Sequence, residues 1–144
     1  MIAKILAAVF IVFTCSSTFA ICTISDTGAG VLRLQPNSGE TSTIQFNIKC
    51  DDAFSIQFNS QNLQNSNGQS FLKNESALGY TKLKNTLDIK YDLSGDAGAE
   101  WNKTISQNKK ANHTYTILAR LGAINLESLA AGDYRDRITV NIDY

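Results

Sequence analysis

The chain has 144 residues, 13 Lys and Arg against 13 Asp and Glu, one His and one Pro, and that length suits a single domain. Its balanced charge offers no basic field to gather phosphates, which argues against nucleic acid or an anionic membrane surface as the partner. Of its three cysteines only Cys22 and Cys50 lie beyond the first 20 residues, too few for a Cys-only metal site.

Lys4 gives a positive start, Ile5 to Phe13 is apolar, and Thr18-Phe19-Ala20 ends the segment on small-residue terms. This is the layout of a secretory signal peptide over residues 1–20, with cleavage expected after Ala20. The apolar run is shorter than the roughly 18 residues that span a bilayer. Neither Cys15 nor Cys22 follows the small residue of a lipoprotein site, so export without an anchor is expected. Cleavage would remove Lys4 and Cys15 and leave 12 Lys and Arg, 13 Asp and Glu, and two cysteines. In an exported chain, Cys22 and Cys50 are expected to form one disulfide, which stabilises by roughly 3–4 kcal/mol in the chain-entropy model.

Short strands are expected at Ile21 to Ile24 and Val31 to Leu34. Ile44, Phe46, Ile48 and Cys50 then alternate with polar residues, the period of a half-buried strand. Phe54, Ile56 and Phe58 repeat the pattern after Asp51-Asp52, which predicts a hairpin. Asn59 to Ser70 is rich in Asn, Gln and Ser and reads as a mobile loop. Phe71-Leu72 opens another strand, and after a turn near Gly79-Tyr80, Leu87, Ile89, Tyr91 and Leu93 alternate again. Ser94 to Gly98 breaks the run, Trp101 and Ile105 mark a short edge strand, and Tyr115, Ile117, Ala119 and Leu121 form the next. Leu126 to Ala131 allows one helical turn before Gly132, and Ile138, Val140, Ile142 and Tyr144 close the chain on a last strand. Seven or eight short strands without a long helical period predict an all-β, antiparallel sandwich.

No catalytic constellation stands out, so no enzyme and no cofactor are expected. His113 sits in an Asn-rich stretch and reads as a solvated loop histidine. Asp51-Asp52 and the set Asp133, Asp136 and Asp143 do not follow calcium-loop spacing and read as surface or turn carboxylates. The sequons at Asn74, Asn102 and Asn112 are attributed to the Asn- and Ser-rich composition. Trp101 and Tyr80 could contact sugar rings but read more readily as core or edge aromatics.

Ala131-Gly132-Asp133-Tyr134-Arg135-Asp136 followed by Ile138, Val140, Ile142 and Tyr144 resembles the spore coat U domain family, best known from archaic chaperone-usher pilus subunits. Cys22-Thr23-Ile24, Ile48-Lys49-Cys50 and Leu87-Asp88-Ile89-Lys90-Tyr91-Asp92-Leu93 agree in the same order, so the resemblance spans nearly all of residues 21–144. It implies an immunoglobulin-like sandwich lacking its last strand, with Ile138, Val140, Ile142 and Tyr144 bordering an open strand-acceptor groove. It also implies three partners: a periplasmic chaperone that lends a strand, an outer-membrane usher, and a neighbouring subunit whose extension replaces the chaperone's strand. The product would be a cell-surface fimbria serving adhesion or biofilm formation. Shielding four such side chains contributes about 6–12 kcal/mol as an upper bound, comparable to a small domain's whole stability. One departure matters: only Ile21 separates the expected cleavage site from Cys22, so no donor segment is expected, and an acceptor-only terminal subunit follows. The alternative is a stand-alone secreted coat or carbohydrate-binding sandwich whose groove is filled by the same chain.

Overall fold

The computed structural model describes residues 21–26, 30–76, 82–109 and 112–144. The expected signal peptide at 1–20 and the Gly79-Tyr80 turn lie outside them. Period-two alternation becomes strands along most of the chain: β1 Cys22–Asp26, β2 Thr41–Cys50, β3 Phe54–Ser60, β4 Gln69–Asn74 and β5 Thr86–Gly95. β6 Thr104–Gln107, β7 His113–Leu121, β8 Tyr134–Arg135 and β9 Ile138–Asp143 follow, with one 3-10 turn at Leu126–Ser128 capped by the Asn125 side chain. That turn stands where one helical turn was expected, and Val31 to Leu34 forms no strand.

The strands make two antiparallel sheets, one ordered β1-β2-β7-β5-β4-β8 and the other β6-β3-β9. The architecture is the antiparallel sandwich expected from the strand count. Alternate residues of β3 (Phe54, Ile56, Phe58) and of β7 (Tyr115, Ile117, Ala119, Leu121) point inward and are buried. Aromatic rings carry the core across both sheets: Phe46 lies 5.5 Å from Tyr115, Phe58 5.6 Å from Tyr115, and Tyr91 5.5 Å from Trp101. Such pairs add about 0.5–1.5 kcal/mol each beyond the area they bury.

Cys22 and Cys50 form the expected disulfide, and they are register partners on β1 and β2, so the bridge fastens the edge strand β1 to its neighbour. The expected hairpin is not formed. β2 pairs with β1 and β7, whereas β3 pairs with β6 and β9, so Asp51-Asp52 carries the chain from one sheet to the other. Period two fixes which side chains face inward but not which sheet a strand joins.

The Asn- and Gln-rich segment is tied to the core, contrary to the mobile loop expected. Its polar groups satisfy one another: the Asn65 side chain accepts from the backbone N–H of Asn67 and Gln69, and Trp101 N–H donates to Ser66 O. Gly68 has φ +85°, accepts from Tyr91 N–H, and passes so close that a Cβ there would lie 1.9 Å from Tyr91 O. Trp101 is not on an edge strand. It is buried under this loop, its indole N–H donating to Tyr91 O at 3.1 Å, so it is unavailable to a sugar ring.

Candidate functional site

β8 and β9 belong to different sheets, and the chain crosses between them at Asp136 and Arg137. The local sequence builds that crossover. Gly132, at φ +140°, passes the buried Asn74, whose Nδ2 would lie 2.6 Å from any Cβ placed there. The Asn74 amide donates to Ala131 O, and the Tyr134 hydroxyl donates to Ala130 O at 2.7 Å. Asp136 is the hub. Its Oδ2 accepts from Ser60 Oγ at 2.6 Å, Tyr91 OH at 2.9 Å and Ser70 Oγ at 3.0 Å. Its Oδ1 accepts from the backbone N–H of Arg137 and of Asn62. The carboxylate therefore pins the start of β9 to β3, β4 and β5, and it is no simple turn residue as its position in the sequence suggested. Burial first, then the charge and hydrogen bond of Asp136, push the Tyr91 phenol far above its usual range.

From this anchor β9 runs antiparallel to β3, with Ile138 opposite Ser60, Val140 opposite Phe58 and Ile142 opposite Ile56. Its other edge pairs with no described strand. The inward residues of β3 are fully buried, but those of β9 remain half-exposed. That contrast marks a face that the described residues cover only in part. Beside it opens an apolar cleft of about 270 Å³. Ile138 and Val140 form one wall. Ile24 of β1, with Gly30 and Leu32, forms the opposite wall, and Ile44, Phe46 and Ile117 form the floor. Of the four residues expected at a groove, Ile138 and Val140 line this cleft. Ile142 packs half-buried against the core, and Tyr144 stands beyond β9, 69% exposed. Ile24, Leu32, Ile44, Phe46 and Ile117 were missed because the opposite wall comes from strands remote in sequence.

His113 corrects a further expectation. It begins β7, is 3% exposed, meets Phe54 edge-on, and its Nε2 lies 2.7 Å from Asn108 O. Nδ1 stands 3.6 Å from the Asp96 carboxylate, so the residue belongs to the core rather than to solvent. Among the described residues no three His, Cys, Asp or Glu side chains converge as metal ligands, and no helix is long and apolar enough to cross a membrane.

No family model and no curated protein matches the sequence. The fold is similar to that of a chain in the CsuC-CsuE chaperone-tip adhesion subunit pre-assembly complex from the archaic chaperone-usher Csu pili of Acinetobacter baumannii. The TM-score is 0.52 at 18% identity, over 88% of this chain and 40% of that one. The chain thus matches less than half the length of this neighbour, and at that identity the likeness is one of fold, a fold found in a pilus assembly complex.

Proposed function

We propose that the exported chain is a structural, non-catalytic subunit of a chaperone-usher pilus, completed by a strand from another polypeptide. The observation that carries this reading is the edge of β9 that pairs with no described strand, beside an apolar cleft with Ile138 and Val140 half-exposed on its wall. An unpaired edge with apolar side chains invites aggregation unless something covers it. A strand laid along β9 would satisfy its main-chain groups, and alternate apolar residues of that strand would fill the cleft. The fold likeness to a chain of a chaperone-subunit complex supports the same reading. In it, a periplasmic chaperone holds the cleft first, an outer-membrane usher receives the complex, and a neighbouring subunit then takes the chaperone's place on a cell-surface fibre used in adhesion or biofilm formation.

Co-expression with a pilus chaperone in the periplasm tests it. The chaperone is expected to co-purify with the native chain and with Thr139→Asp, whose side chain faces outward, but not with Val140→Asp. Equal capture of all three would contradict the proposal.

A further inference from the structure

A second concavity, of about 220 Å³ and separate from the apolar cleft, lies where β4, β8 and the β8-β9 crossover meet. Lys73 and Arg135 are direct cross-strand partners on β4 and β8, and Arg137 stands on the same concavity. Like charges placed directly opposite across a strand pair are destabilising, so such a pair needs a compensating anion. Arg135 has one, the exposed Asp133 at 3.3 Å, whereas Lys73 and Arg137 make no ion pair among the described residues. Asp136 also borders the concavity, but its oxygens are committed to Ser60, Ser70, Tyr91 and two backbone N–H groups. Three side chains remain to treat hydroxyls: the Gln61 amide, the Asn62 amide, whose Nδ2 already donates to Phe71 O, and the Glu75 carboxylate. Lys73, Arg135 and Arg137 against Glu75 and Asp136, three cations and two carboxylates, leave a surplus of one positive charge, and that sets the charge that fits. A dianion such as phosphate would meet the repulsion of Glu75, while a monoanion carrying neighbouring hydroxyls would use the cations and Glu75 together.

We infer that this concavity binds a carboxylate-bearing sugar of the uronic acid type, its carboxylate held by Lys73 and Arg137 and its hydroxyls by Gln61, Asn62 and Glu75. The inference does not depend on the pilus reading, because none of these residues lines the apolar cleft.

The test is titration of the mature chain with D-glucuronate, followed by NMR shifts, beside D-glucose and inorganic phosphate. Glucuronate is expected to bind in the millimolar range and at least about tenfold tighter than either competitor. Arg137→Gln and Lys73→Gln are each expected to weaken it about tenfold, the first with an unchanged melting temperature and the second with an unchanged or raised one, since these side chains make no hydrogen bond or ion pair among the described residues and Lys73 faces the like charge of Arg135. The Arg137 backbone contacts, to Asp136 and to Gln61 N–H, survive the change. Absence of shifts at about 50 mM glucuronate would overturn the inference. So would equal binding of glucose or phosphate, or indifference to both substitutions.

Discussion

Asp136 shows how one side chain can set the geometry of a whole edge. Its carboxylate accepts three hydroxyl hydrogen bonds from three strands, and each bond to a charged acceptor contributes about 1.5–3 kcal/mol, though not additively. Asp136→Asn removes the charge and one acceptor oxygen, so unfolding free energy is expected to drop by about 2–4 kcal/mol in urea titrations. A drop below about 0.5 kcal/mol, the level of an ordinary surface change, would refute the hub role. The same cluster makes stability depend on pH. Burial and Asp136 hold Tyr91 neutral well above its ordinary range, and burial, then Asp96, does so for Tyr115. A group whose folded pKa is raised stabilises fully below its unfolded pKa, about 10 for Tyr, and loses that contribution as pH rises beyond it. Stability is therefore expected to fall above about pH 10, and less steeply in Tyr91→Phe; parallel profiles would contradict this. Little of it was legible in the sequence. The hydroxyl partners lie 45 to 76 positions from Asp136, so it looked like a turn carboxylate, and His113 looked solvated because its neighbours in sequence are polar.

At the scale of elements, strand identity was legible and strand pairing was not. The alternations at Ile44 to Cys50 and Phe54 to Phe58 became β2 and β3 as expected, yet the two strands lie in different sheets. An edge strand and a central strand share the same period, so only the incomplete burial of β9 distinguishes it. The disulfide, readable from two cysteines in a chain expected to be exported, has a consequence that spacing does not reveal. By fastening β1 to β2 it fixes the Ile24 wall of the cleft. Reducing it, or making the Cys22→Ser/Cys50→Ser pair, is expected to cost about 2–5 kcal/mol of stability and to weaken strand capture. Loss of stability with undiminished capture would show that β1 is dispensable to the cleft. Gly68→Ala is expected to cost more than an ordinary loop substitution, since a Cβ there meets Tyr91 O; a melting temperature within about 2 °C of the native chain's would refute the close approach.

For the whole molecule, composition and strand count were enough to predict an antiparallel sandwich, because many short amphipathic strands without helical periods have few other ways to bury one face. The open cleft was not legible from periodicity. It emerges from three separate placements: the Asp136 anchor at the start of β9, the disulfide beneath β1, and β3 as the only described partner of β9. A sandwich built this way is expected to gain stability from any strand that completes it, by the mass-action linkage of a ligand that binds only the folded state. The most direct measurement is a thermal melt of the mature chain with and without a synthetic donor peptide of alternating apolar residues, beside its scrambled control. At a hundredfold excess over its dissociation constant the peptide is expected to stabilise by about 2.7 kcal/mol and raise the melting temperature by roughly 10 °C, with no effect from the control. A melting temperature indifferent to both peptides would show that the cleft accepts no strand.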